Sequence, residues 1–251
     1  MQANEVLTIE NPEVRQRSPQ IASWGHLVGF LLIGAGIVAL GFFAQHVPTG
    51  GAGDSSGHLG SHSHAIPIYL AAILMDWALL YYCWVGVHRH GGNLKTLSGV
   101  RWTSWKSLVI DVGIAVPFWV LWEGAGYGVH WLLGPTSARS VVSLLPQSLL
   151  EILIWIATSM TAGICEEMVF RGYVQRQFHA LTGSVVMAVL GQGLVFGLVH
   201  SYQGWKNVIV ICVLGILFGI LAAWRRNLRT NIMVHAWADV WSGWLSFVAW
   251  R

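Results

Sequence analysis

Ionisable side chains recur at fixed spacings inside the long apolar stretches of the C-terminal half of this chain. EExxxR occurs near the end of one apolar stretch, FxxxH closes the next, and HxxxD lies inside the last. Such residues are costly to place in an apolar medium, so each is a hypothesis of function. The set consists of Glu166, Glu167, Arg171, His200, His235 and Asp239.

Helical spacing assigns these residues to different partners. Glu167 and Arg171 are four positions apart, so on a helix they share a face and can neutralise one another. Glu166 is turned by about 100° from Glu167 and is left for a different partner. His235 and Asp239 are again four positions apart and are predicted to project together.

The segment Thr182-Gly183-Ser184 is typical of a turn between two helices. Glu166 lies 17 residues before Gly183, and His200 lies 17 residues after it. If both arms are continuous antiparallel helices, the two side chains lie at the same depth, roughly 25 Å from the turn. Hydropathy taken span by span would instead put them at opposite membrane faces. We favour the hairpin, with a carboxyl group facing an imidazole.

These residue types suit hydrolysis by an activated water. A carboxyl group in a dry site can accept and return a proton near neutral pH. An imidazole beside it can help to orient and deprotonate a water molecule. A further pair of donors would stabilise the oxyanion that forms when this water attacks a peptide carbonyl.

Two other interpretations use the same side chains. Glu166, His200, His235 and Asp239 are the right ligand types for a catalytic zinc ion, although the sequence contains no HExxH. Alternatively, the polar contacts only fix the packing of helices, which is the simplest interpretation of Glu167 with Arg171. The prediction that we favour has no cofactor, with zinc as the variant.

The surrounding elements are predicted to be membrane helices. Hydrophobic residues make up 55% of the 251 positions and charged residues 10%, whereas about a quarter of a soluble domain is charged. Apolar segments near 20 residues match the thickness of a bilayer, and lipid requires them to be helical. We predict an all-α polytopic bundle with about seven spans, near 24–43, 66–87, 108–133, 144–164, 184–200, 208–224 and 232–250.

The distribution of basic residues predicts the orientation in the cell membrane. With the N-terminus in the cytoplasm, 11 of the 14 Lys and Arg residues fall on the cytoplasmic side. The net charge of +3 is then a consequence of topology and gives no reason to expect nucleic acid as a partner. The expected partners are the lipid bilayer and a peptide or protein substrate.

Three regions are predicted along the chain. Residues 1–20 form a polar N-terminal tail without the layout of a cleaved signal. Residues 21–143 form N-terminal transmembrane helices. Residues 144–251 form a transmembrane catalytic core that contains the three motifs.

In that core, EEMVFRG, FGLVH and HAWAD resemble the three motifs of the CAAX protease and bacteriocin-processing (CPBP, or Abi) family of intramembrane endopeptidases. The family includes Rce1-like enzymes, which trim prenylated C-terminal CaaX tails. The resemblance covers about residues 144–250. It implies a glutamate-type endopeptidase that cleaves near the cytoplasmic membrane face, with a lipidated C-terminus as one form of substrate.

The resemblance also implies a role for each residue. Glu166 and His200 would activate water, and His235 with residue 239 would form the oxyanion site. Glu167 and Arg171 would be structural or accessory. The last motif of the family usually ends in Asn, whereas this chain has Asp239. An ionised Asp cannot donate a hydrogen bond, so Asp239 is protonated, or only orients His235, or weakens catalysis.

Two further functions from other classes fit the same composition. One is a catalytically silent membrane scaffold or bacteriocin-immunity protein, which would turn over no peptide. The other is a small transporter that uses Glu166 and His200 as a proton relay. Transporters of that kind usually contain inverted repeats, and no repeat is visible in this sequence.

Overall fold

The computed structural model describes residues 20–46, 65–99, 104–134 and 144–249. Within these ranges all regular secondary structure is helical, which confirms the predicted fold class. The predicted polar tail lies outside the described residues except for Gln20. The α-helices are α1 Trp24–His46, α2 Ala65–His88, α3 Leu94–Ser98, α4 Trp105–Leu133, α5 Leu149–Glu166, α6 Gln175–Thr182, α7 Val185–Val199, α8 Trp205–Arg225 and α9 Arg229–Ala249.

Five of the described helical segments are long and apolar enough to cross a membrane, so the protein is a multi-pass membrane protein. They are α1, α2, α4, α8 and the continuous segment Leu149–Thr182. The other two predicted spans also fold as helices. The first of these, α7, has only 15 residues. The second, α9, has 21 residues, but its polar side chains make it less apolar than the five candidates.

The fourth predicted span was misplaced at its start and end. We predicted residues 144–164, whereas α5 begins at Leu149. The side chain of Ser148 accepts from the backbone N–H of Glu151, and the Glu151 carboxylate accepts from the backbone N–H of Ser148. This capping box satisfies two N–H groups at the helix start. The helical path then continues to Thr182 through an eight-residue π-helical segment, Glu167–Val174.

The predicted hairpin is present around Gly183. This glycine ends α6 in the left-handed region, with φ of 67°, and Ser184 caps the first turn of α7. Because Gly has no Cβ, it adopts that conformation without steric cost. The long segment Leu149–Thr182 and α7 therefore run antiparallel.

Helix α9 lies very close to the segment Leu149–Thr182, which contains EExxxR and is called the motif helix from here on. A Cβ atom added to Gly163 would lie 2.8 Å from the backbone nitrogen of Ala236. Since such a contact is sterically forbidden, only glycine at 163 lets the backbones approach so closely. The contact lies one turn before Glu166 and directly after His235, so it sets the spacing between the two motifs.

The start of α9 is also held electrostatically. Asp111 on α4 is fully buried, and its carboxylate contacts Arg225 and Arg229, each at 2.7 Å. It also accepts a hydrogen bond of 3.0 Å from the hydroxyl of Thr230. Because a buried carboxylate needs such partners, this cluster fixes the α8–α9 turn against α4.

Candidate active site

Glu166 lies between two histidine rings. Its Oε1 is 4.0 Å from Nε2 of His200, and its Oε2 is 3.7 Å from Nε2 of His235. All three side chains line a cavity of about 840 Å³ among the helices. Only 17% of the Glu166 side chain and 16% of the His200 side chain are exposed, so each faces the other with little water around it. The hairpin thus brings the two predicted partners together.

The capping geometry of α7 fixes the orientation of His200. Its Nδ1 lies 2.8 Å from the carbonyl oxygen of Phe196, one helical turn earlier. Since a carbonyl oxygen only accepts, Nδ1 carries a hydrogen, and in the neutral ring Nε2 keeps its lone pair. That lone pair is on the side of the ring that faces Glu166.

Glu167 contacts His235 on the side of the imidazole ring that faces away from the cavity. Its Oε1 lies 2.8 Å from Nδ1 of His235 and 2.9 Å from Nη1 of Arg171. Its Oε2 accepts from the amide of Asn231 at 3.1 Å. Neither Glu167 nor Arg171 lines the cavity, and both side chains are fully buried. Glu167 therefore has three partners, two more than the helical spacing of EExxxR predicted.

The guanidinium of Arg171 is enclosed by α7 and α8. Nη2 donates to the carbonyl oxygen of Gly215 at 3.3 Å. The guanidinium carbon lies 4.4 Å from the ring centre of Phe196 and 5.1 Å from that of Phe218. These contacts compensate a buried cation, so the EExxxR pair ties the motif helix to two neighbouring helices.

Asp239 lies one turn beyond His235 on the cavity side of α9. Its Oδ2 is 3.6 Å from Nε2 of His235, which is longer than a hydrogen bond. The side chain is 34% exposed, twice the value of Glu166. The orientation of the His235 ring therefore depends on Glu167, which makes the shorter contact.

Three polar residues at this site were not predicted from the sequence. Asp76 on α2 and Tyr202, in a 3-10 turn after α7, line the cavity. Asn231 contacts Glu167 behind it. The spacing NxxxHxxxD contained the signal for Asn231, because residues four apart share a helix face with His235 and Asp239. Asp76 and Tyr202 have no such local signal, since only the packing of helices brings them to the cavity.

In the part of the chain that the structure describes, no group of three or more His, Cys, Asp or Glu side chains is placed to hold a metal ion. Glu166 Oε1 and His200 Nε2 lie 4.0 Å apart, a separation that one water molecule can bridge from the cavity side.

The fold and site define a multi-pass helical membrane protein in which a carboxyl group and two imidazoles line a cavity among the helices. Residues 148–241 match the family model of the type II CAAX prenyl endopeptidase Rce1-like. This segment is thus a domain of the Rce1-like CAAX endopeptidase family, which confirms the resemblance seen in the motifs. Family membership suggests an intramembrane protease. Comparisons with curated proteins and with solved structures gave no match.

Proposed function

We propose that this protein is an intramembrane endopeptidase in which Glu166 and His200 activate water. The observation that carries the proposal is the 4.0 Å separation of Glu166 Oε1 and His200 Nε2 in a cavity among the helices. Two groups that share a water molecule lie roughly 4–5 Å apart when each hydrogen bond is about 2.8 Å. The pair is therefore spaced to hold one water between a carboxylate and an imidazole lone pair.

The reaction then follows from the chemistry of the pair. The water oxygen forms a bond to the peptide carbonyl carbon as one of its protons passes to the Glu166–His200 pair. The carbonyl π electrons move to oxygen, which becomes an oxyanion. When the tetrahedral intermediate collapses, the C–N bond breaks and the leaving nitrogen takes the proton back from the pair. The products are an amine and a carboxylic acid, which ionises by releasing its proton to water.

His235 is placed to stabilise the oxyanion. Because Glu167 is paired with Arg171 and accepts at Oε1, Nδ1 of His235 carries a hydrogen. In the imidazolium form Nε2 also carries a hydrogen, which points to the cavity near Glu166 and Asp239. A donor aimed at the developing charge stabilises the transition state more than the substrate. Asp239 donates to the same oxygen in its protonated form.

The lining of the cavity supports a peptide with an apolar segment as substrate. Apolar side chains from α1, α2, α5 and α8 form most of the wall, among them Phe30, Ile37, Met75 and Leu214. A lipidated C-terminus is one substrate that such a wall would accommodate. The lipid bilayer is the other partner, and we propose no nucleic-acid partner.

We propose that cleavage occurs near the cytoplasmic face. The turn between α8 and α9 contains Arg225, Arg226 and Arg229, which the positive-inside rule places in the cytoplasm together with the N-terminus. His235 is six residues into α9, about 9 Å from this end. Residues 144–251 form the proposed catalytic core, and α1, α2 and Trp122 of α4 also line the cavity.

The test is turnover of peptides by the purified protein in lipid nanodiscs. Quenched fluorescent peptides with and without a prenylated cysteine are incubated with wild-type protein and with Glu166→Gln. Cleavage by the wild-type protein alone supports the proposal. If neither protein cleaves any peptide of the panel, the silent scaffold or immunity protein becomes the better interpretation.

A further inference from the structure

The cavity wall contains many hydrogen-bond donors, and nearly all of them already have an acceptor. Six side chains on α2, α5 and α9 donate to carbonyl oxygens of the protein itself. They are Tyr69, Trp155, Thr158, Ser159, Ser242 and Ser246. The N–H groups at Nδ1 of His200 and of His235 are likewise engaged, by Phe196 and by Glu167. These hydrogens are not free to bind a substrate.

Few donors remain among the cavity-lining residues that the structure describes. The indole nitrogen of Trp122 has no partner, but it is buried out of reach of a water-sized group. Apart from Nε2 of His235, a protonated acid and the weakly donating thiol of Cys165, the remaining side-chain hydrogens belong to Tyr202 and Gln203. The amide nitrogen of Gln203 donates to the Tyr202 oxygen at 3.0 Å. The Tyr202 oxygen is thus an acceptor in that bond, and its own hydrogen is left for the cavity.

The position of Tyr202 is fixed by the turn that follows His200. Residues Ser201–Gln203 form a 3-10 turn, closed by the bond of 2.9 Å from the Gln203 N–H to the His200 carbonyl. The ring of Tyr202 lies 6.0 Å from that of His200. α1 packs against this turn, since a Cβ on Gly41 would lie 3.1 Å from the Tyr202 backbone nitrogen. The ring that carries this hydroxyl is therefore held beside the His200 imidazole.

We propose that Tyr202 is a further catalytic residue, whose hydroxyl donates a hydrogen bond to the carbonyl oxygen under attack. This inference rests on the proposed protease function. Tyr202 lines the same cavity as Glu166 and Asp239, on which the proposed reaction depends. The Tyr202 hydroxyl would donate to the oxyanion together with the N–H at Nε2 of His235. The oxyanion then has two donors even when Asp239 is ionised. Gln203 is a positioning residue that orients the hydroxyl.

The test compares Tyr202→Phe with Tyr82→Phe in steady-state cleavage of one peptide by protein in nanodiscs. Both substitutions remove one hydroxyl and keep the ring, but Tyr82 does not line the cavity, and its hydroxyl donates to the carbonyl oxygen of His26. Loss of one oxyanion donor lowers kcat by about 10²–10³-fold, and we expect at least the lower part of this range for Tyr202→Phe. KM and the melting temperature should change little. Tyr82→Phe should retain kcat within about twofold, because Tyr82 does not line the cavity.

The outcomes separate this inference from the function on which it rests. If Glu166→Gln is inactive while Tyr202→Phe has wild-type kcat, the role of Tyr202 is refuted and the protease assignment stands. A change confined to KM would also refute it, since that pattern reports binding common to substrate and transition state. If the wild-type protein cleaves nothing, both proposals fail. A loss of kcat in Tyr202→Phe alone supports the inference.

Discussion

The Nδ1 atom of His235 lies 2.8 Å from Oε1 of Glu167, although the two residues are 68 positions apart in the chain. The same oxygen accepts from Arg171 at 2.9 Å. One carboxylate therefore neutralises a buried cation and also orients the ring that faces the cavity. Stability of the fold and geometry of the site depend on the same side chain.

Replacing Glu166 by Gln should abolish most activity. The amide keeps nearly the same shape but cannot accept a proton from water. We expect kcat to fall by about 10²–10⁴-fold, the usual contribution of a general base. Glu123→Gln is the matched control, because Glu123 lies within α4 and does not line the cavity. Equal activity of Glu166→Gln and wild type would contradict the assignment.

Replacing Glu167 by Gln should reduce stability first. Breaking a buried ion pair from one side costs about 3–5 kcal/mol, because it leaves the Arg171 guanidinium uncompensated. Thermal unfolding in detergent measures this loss. Adding Arg171→Met to Glu167→Gln should recover part of the stability, since the unpaired charge is then also removed. A double variant less stable than Glu167→Gln would show that the ion pair is not the cause.

Asp239→Asn should preserve or raise kcat. Asn is nearly isosteric and donates through its NH₂ group at any pH, so it can serve the oxyanion. The charge of Asp239 is not needed to orient His235, because the Glu167 contact of 2.8 Å is shorter than the Asp239 contact of 3.6 Å. A clear loss of kcat in this variant, with unchanged thermal stability, would instead assign Asp239 a role through its charge.

Activity should persist in strong chelators. The proposed mechanism uses the Glu166–His200 pair and routes no step through a metal ion. Peptide cleavage is measured before and after dialysis against a chelator, and metal content by mass spectrometry of the purified protein. Inactivation by the chelator with recovery on adding zinc would overturn the mechanism and favour the zinc variant.

The N-terminus and the α8–α9 turn should both be cytoplasmic. A single cysteine at Asn227 should react with a membrane-impermeant maleimide only after the cells are permeabilised. A cysteine at Ser61, in the segment between α1 and α2, should react in intact cells. Cys83, Cys165 and Cys212 are free thiols and must first be replaced in the background protein. Labelling of Asn227→Cys in intact cells would reverse the proposed orientation.

Local spacing made part of this site predictable. The pairs Glu167–Arg171 and His235–Asp239 are four residues apart, and any helix brings such residues to one face. The hairpin around Gly183 was predictable for a similar reason, because two straight helices from one turn place equidistant residues at equal depth. The sequence also determined the fold class, since apolar segments of this length can only be helical in lipid.

Contacts between helices that are distant in sequence were decided only by the tertiary structure. No periodicity relates Glu167 to His235, and their contact depends on the close approach of α9 at Gly163. Asp76 and Tyr202 reach the cavity because α2 and the turn after α7 pack around it. Side-chain direction at such crossings depends on the angle and distance between helices, which residue spacing within a single helix does not encode.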